Sequence, residues 1–145
     1  MTVSAYIDTS ALIKRFITEP GTAQVEAFVA TAKHRLTLSS LSITEFRSVM
    51  KHRLRLGTAD SVFVRKANEQ LSIEIASGAL GFLAIDAALF NLAGDLIEQL
   101  DSPLAALDAM HLACAKTAGC SMMVSADKQL LRAAQEAGLE VFDLS

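Results

Sequence analysis

Val3-Ser-Ala-Tyr-Ile-Asp8-Thr-Ser10 reads as a short buried strand that ends on a carboxylate and turns at once into a helix. The run over residues 3–8 is mainly apolar and too short for a buried helix, and Thr9 or Ser10 supplies the hydroxyl that caps the helix after it. That first helix is predicted to run to about residue 18, where Glu19-Pro20-Gly21 stops it.

The same alternation repeats along the chain. A helix is predicted over residues 22–33 and a strand over 35–39, which passes through Ser40 to Ser42 into a long helix with Glu45 in its first turn. Ile43, Phe46, Met50 and Leu54 recur at steps of three and four and form the core stripe of that helix, so Arg47, Lys51 and Arg55 point elsewhere. Gly57 ends it, and Thr58 or Asp60 caps a helix to about residue 77. A strand over 80–85 leads to Asp86, which caps another helix, and Asp101-Ser102-Pro103 interrupts that one. A helix over 104–118, a strand over 122–125, a helix over 128–137 and a strand over 139–142 complete the chain. Strands alternating with helices predict an α/β fold of three layers, α/β/α, around a mainly parallel sheet of about five strands. The 145 residues hold no internal repeat and no linker, so one domain over residues 1–145 is expected.

Composition narrows the function classes. The chain is 52% hydrophobic with a mean hydropathy of +0.37, yet no run approaches the roughly 18 apolar residues a membrane span needs. Its first ten residues lack a basic region ahead of an apolar segment, so a cytoplasmic location is expected by default. Cys114 and Cys120 lack the paired spacing of a zinc site and are read as reduced core residues. The net charge of −3 gives no global attraction to nucleic acid, but six of the 13 Lys and Arg lie between Arg47 and Lys66, so a local basic patch decides the matter.

In a parallel sheet, ligands bind outside the carboxyl ends of the strands, where Asp8 and Asp127 fall. Asp108 stands in an otherwise apolar helix, Leu104-Ala-Ala-Leu-Asp-Ala-Met-His-Leu-Ala, where an unpaired charge is costly, and His111 is the one basic residue within a turn of it. Asp8 and Asp127 also fit as helix caps, and Glu45 as a first-turn acid favoured by the helix dipole. Together the four carboxylates supply oxygen-only ligands, the set that suits Mg²⁺ or Mn²⁺. One or two such ions catalyse phosphodiester hydrolysis without a protein nucleophile.

The segments YIDTSALIKRF (6–16), SSLSITEFRSV (39–49), ALDAMHLACA (106–115) and VSADKQLLRAA (124–134), in this order, resemble the PIN-domain ribonucleases, in particular the VapC-type toxins of toxin-antitoxin pairs. The resemblance implies Asp8, Glu45, Asp108 and Asp127 as catalytic metal ligands, with Thr9, Ser10 and Ser125 as supporting hydroxyls; Ser125 stands where the family often has Thr. It implies a Mg²⁺-dependent endoribonuclease, with Mn²⁺ as a substitute, whose substrate is RNA, transfer RNA or another structured RNA being favoured. Cleavage would leave 5′-phosphate and 3′-hydroxyl ends and, in a toxin, inhibit translation. It also implies a homodimer and a cognate antitoxin, with which the apolar excess of the chain agrees. Lys14, Arg15, Arg47, Lys51, Arg53 and Arg55 are the candidates to grip RNA phosphates. His111 belongs to the same motif and is read as structural. The competing readings are a PIN-fold RNA-processing nuclease without an antitoxin and a non-catalytic signalling module of the phospho-receiver kind. The latter wants an acidic pair at the end of the first strand, where Asp8 stands alone.

Overall fold

The structure is a computed structural model that describes residues 2–31 and 33–145. Five strands, β1 (Val3–Ile7), β2 (His34–Ser39), β3 (Gly81–Leu83), β4 (Met122–Ser125) and β5 (Glu140–Asp143), form one sheet in the order β3-β2-β1-β4-β5. All four pairings are parallel. The helices are α1 (Thr9–Leu12), continued by a 3-10 turn (Ile13–Arg15), then α2 (Thr22–Ala30), α3 (Ser40–Leu56), α4 (Ser61–Ala76), α5 (Ala87–Gln99), α6 (Ala106–Thr117) and α7 (Lys128–Glu136).

Alternation along β1 assigns its side chains to two cores. Ala5 and Ile7 pack with Leu12, Val25, Leu36, Phe46, Met50 and Leu71 on the face covered by α1 to α4. Tyr6 faces the other way, toward Leu89, Leu112, Met123 and Leu130 beneath α5, α6 and α7. Both faces are buried, as a central parallel strand requires, and this gives the predicted three layers. The predicted stripe on α3 holds: Phe46 and Met50 are fully buried, with Ile43 and Leu54 partly so. Cys114 and Cys120 are free and buried, as expected.

The order places a topological switch beside β1. The chain steps outward through β2 and β3 on one side, then crosses to β4 and β5 on the other. β1 and β4 are therefore neighbours, with Ile7 opposite Val124, and their carboxyl ends open one crevice.

Several boundaries differ from the sequence expectation for identifiable reasons. The first helix does not reach residue 18; it tightens into the 3-10 turn, after which Phe16 packs edge-to-face on Phe46 at 5.0 Å between ring centroids. Strand β3 spans three residues rather than 80–85 and lies at the sheet edge, with Gly81 so close to β2 that a Cβ there would sit 2.5 Å from Thr37 Oγ1. Helix α6 begins at Ala106, two residues later than expected, after extended residues around Pro103. Because α3 starts at Ser40, Glu45 lies in its second turn rather than its first.

Packing sets a first expectation. Phe46→Ala, at a fully buried position, is expected to lower stability by about 3–5 kcal/mol in urea titrations. Phe90→Ala, at a residue 63% exposed, is expected to stay within about 0.5 kcal/mol of the parent. Equal losses from both would contradict the two-core arrangement.

Candidate functional site

Asp8 follows β1 and caps α1, its Oδ1 accepting the Ala11 amide at 3.1 Å. It is nonetheless 4% exposed, and a buried carboxylate needs more donors than one cap supplies. Two serines provide them: Ser10 Oγ donates to Oδ1 and Ser125 Oγ to Oδ2, each at 2.7 Å. Each hydroxyl then accepts a backbone amide from the β4–α7 turn, Ser10 that of Ala126 at 3.0 Å and Ser125 that of Asp127 at 2.9 Å. Both hydroxyl hydrogens are thus directed at one carboxylate, which bolts the end of β1 to the end of β4. Burial still outweighs these bonds and raises the pKa of Asp8 above its usual range.

Glu45 is held from two elements. Thr9 Oγ1 donates to its Oε1 at 2.7 Å, and His111 Nε2 meets the same oxygen at 2.5 Å. Burial opposes its charge, but the bonds from His111 and Thr9 prevail and hold its pKa below the ordinary value. His111, read from the sequence as structural and one turn from Asp108 on α6, reaches across to Glu45 and, through Nδ1, to Tyr6 Oη at 2.7 Å.

Asp108 stands in the first turn of α6, half-buried, with no hydrogen-bond donor among the described residues. Burial pushes its pKa up to about 6, and the negative charges of Asp127 and Asp8, with a smaller part from Glu45, add to the rise while His111 opposes it. Asp127 caps α7, its Oδ1 accepting the amides of Gln129 at 2.9 Å and Leu130 at 3.2 Å. Asp86 likewise caps α5 through Leu89, the role read for it from the sequence.

The four carboxylates therefore share one electrostatic neighbourhood without closing into a ligand cage. Among the described residues, no three His, Cys, Asp or Glu side chains gather closely enough to enclose a metal ion. The two observations are compatible because a Coulomb field reaches farther than a coordination bond. Asp8, Glu45 and Asp127 are each turned onto their own donors, whereas Asp108 has only like charges for company.

The cations expected to grip phosphate fall into two sets. Lys14 is buried and bound to Glu19 at 3.1 Å and to the Pro20 carbonyl at 2.7 Å, and Arg15 makes a two-pronged pair with Glu74 at 3.1 and 3.0 Å. These pairs fasten the 3-10 turn to the scaffold, and Lys14 also lines the groove beside Thr9, Ser10 and Glu45. Arg53 pairs with Glu19 at 3.2 Å and borders a groove of about 360 Å³ whose other walls include Thr9, Ser10, Glu45, Val49 and Ala126. Arg47, Lys51 and Arg55 are exposed and make no ion pair among the described residues.

Sequence reasoning missed Tyr6 and Ser39, which lie behind His111, with Tyr6 Oη 2.9 Å from Ser39 Oγ. A tyrosine at the core-facing position of a buried strand was the available signal, because its hydroxyl must find a partner.

A model of the PIN domain family matches residues 5–136. The chain belongs to the PIN domain family. Solved structures with this fold include VapC20 of Mycobacterium tuberculosis, described as a sarcin-ricin loop cleaving toxin: 16% identity, TM-score 0.68, covering 89% of this chain and 94% of that one. FitAcB from Neisseria gonorrhoeae aligns at 20% identity and TM-score 0.68 over 96% of each chain. DNA-bound VapBC from Salmonella typhimurium aligns at 17% identity and TM-score 0.65 over 99% of this chain and 100% of that one. None of the curated proteins matches the sequence.

The crowding around Asp108 has a measurable sign. A carboxyl whose folded-state pKa is raised favours folding while protonated, a contribution complete below about pH 4 and lost as pH rises through about 6. At pH 7.5 in chelator, Asp108→Asn is therefore expected to be more stable than the parent by about 1 kcal/mol after allowance for solvent screening, or roughly 2–5 °C in Tm. The gain should vanish toward pH 4. A gain independent of pH would mean that Asp108 does not feel its neighbours' charge.

Proposed function

We propose that this PIN domain is a metal-dependent endoribonuclease and the toxin of a toxin-antitoxin pair, acting in the cytoplasm as a homodimer held inactive by its antitoxin. The observation that carries this reading is Asp108: a half-buried carboxylate at the switch-point crevice, lacking a donor and pressed by three other acids, calls for a cation. The donor set fits a hard divalent ion, since it consists of oxygens only. Asp8, Glu45, Asp108 and Asp127 would hold Mg²⁺, with Mn²⁺ as a substitute. Bound there, the ion would polarise the scissile phosphate, neutralise developing negative charge and make water a better nucleophile at neutral pH.

The chain's own residues perform the remaining work. Ser10 and Ser125 hold Asp8 against the β4–α7 turn, Thr9 and His111 fix one oxygen of Glu45, and Asp127 is oriented by the amides it caps. Arg47, Lys51 and Arg55 recur every four residues along α3, the helix that also carries Glu45, and so share one face. Like charges at that spacing repel, and a polyanion lying along the face relieves the repulsion. RNA is favoured because the solved relative VapC20 is described as cleaving the sarcin-ricin loop, and the antitoxin because VapBC relatives are complexes.

Purified protein is expected to cleave RNA in Mg²⁺ and not in EDTA, leaving 5′-phosphate ends detectable by end sequencing. Asp8→Asn and Asp108→Asn should each remove cleavage while far-UV circular dichroism stays unchanged, and full activity in both would refute the mechanism. Replacing Arg47, Lys51 and Arg55 together by Ala should weaken RNA binding and lower the slope of log affinity against log salt by about 2 to 3. An unaltered slope would place the RNA elsewhere. Neutralisation of cleavage by the product of an adjacent small open reading frame would separate a toxin from an RNA-processing enzyme.

A further inference from the structure

Behind Glu45 runs a buried file of hydrogen bonds: Glu45 Oε1 to His111 Nε2, His111 Nδ1 to Tyr6 Oη, and Tyr6 Oη to Ser39 Oγ, at 2.5, 2.7 and 2.9 Å. Its three inner members are almost without solvent contact: Tyr6 and Ser39 are fully buried and His111 is 2% exposed. They come from β1, the end of β2 and α6, so the file crosses the core from the start of α3 to the site. Buried polar side chains among Leu112, Met123 and Leu130 carry a desolvation cost that apolar residues would avoid, and the file is fully satisfied, with no orphaned polar side-chain atom among the described residues.

An ionised carboxylate only accepts, so Nε2 carries the hydrogen that points at Glu45. Tyr6 Oη holds the opposite ring nitrogen, Nδ1, and is itself held by Ser39 Oγ at the N-cap of α3, where the Ser39 amide donates to Ser42 Oγ at 3.2 Å. The imidazole is therefore gripped at both nitrogens.

We propose that Tyr6, acting through His111, is a positioning residue that holds the imidazole with Nε2 on Oε1 and thereby fixes which oxygen of Glu45 is available to the metal. His111 and Thr9 both bind Oε1, and no donor among the described residues takes Oε2. Oε2 is the oxygen left for the cation. The inference rests on the metal-binding reading of the site, but the hydrogen bonds of the ring are measurable without any metal.

The test has two arms on the whole chain. In the first, ¹⁵N spectra of metal-free protein should show both His111 nitrogens hydrogen-bonded, and Tyr6→Phe should shift the Nδ1 resonance while Nε2 keeps its hydrogen. An Nδ1 resonance unmoved by Tyr6→Phe overturns the proposal. In the second, Mn²⁺ titrations should find affinity weakened about 3- to 10-fold in Tyr6→Phe and about 10- to 100-fold in His111→Leu. In both variants kcat should fall at fixed metal and recover as Mn²⁺ is raised, with the KM for RNA unchanged. His111→Gln, whose amide nitrogen can stand in for Nε2 but not for Nδ1, should stay within about threefold of Tyr6→Phe. Equal losses in His111→Gln and His111→Leu would reduce His111 to a packing residue and refute the proposal even if Tyr6→Phe failed to fold. Wild-type protein that binds no Mn²⁺ would overturn the metal reading, and with it the role given to Oε2, while the result on the ring's hydrogen bonds stood by itself.

Discussion

The site depends on keeping a carboxylate ionisable at the buried end of the central strand. Asp8 meets that demand with two serine hydroxyls and one amide, and the two serines are themselves held by amides of the β4–α7 turn. One side chain thus ties together the two strands flanking the topological switch. Loss of either hydroxyl would leave a buried charge short of a donor and loosen the turn that carries Asp127. The geometry of the acidic crevice and the integrity of the sheet centre are therefore one problem with one solution.

Around that anchor the acids are treated unequally. Asp8, Glu45 and Asp127 each have protein donors, whereas Asp108 has none, and its pKa rises with the negative charge around it. A site satisfied entirely from within would have little affinity left for a cation. One satisfied nowhere would resist folding. Leaving the deficit on a single half-buried group, in the first turn of a helix whose dipole partly offsets it, concentrates the destabilisation where a divalent ion would relieve it.

Much of this was legible in the sequence because it derives from period and connectivity. Asp8 and Asp127 could be assigned to one crevice because parallel strands deliver their carboxyl ends to the same edge, and the core stripe through Phe46 and Met50 could be read from spacing alone. What could not be read was pairing across the chain. Nothing near Lys14 or Arg15 announces that Glu19 and Glu74 will claim them, since the second partner lies 59 residues away and meets Arg15 only after α4 docks. His111 illustrates the same limit. Its nearest acid in sequence is Asp108, yet the fold presents it with Glu45, 66 residues distant, on the side where Tyr6 completes its second bond. Local spacing identifies which residues need a partner, and tertiary packing chooses it.

That choice also sorts the positive charge. In a chain of net charge −3, the proposed grip on a polyanion falls mainly to cations that the scaffold leaves unpaired. Lys14 and Arg15 brace the turn beneath Asp8, and Arg53 shares Glu19 with Lys14. The outward row of Arg47, Lys51 and Arg55 on α3 is exposed and unpaired among the described residues. Because the same helix carries Glu45 on another face, the row is held in fixed geometry to the acidic crevice by a single rigid element. Under the proposed nuclease reading, a backbone gripped by that row would be registered against the carboxylates without any flexible loop intervening, and the helix that supplies one acidic group would also set the distance from phosphate grip to the acidic crevice.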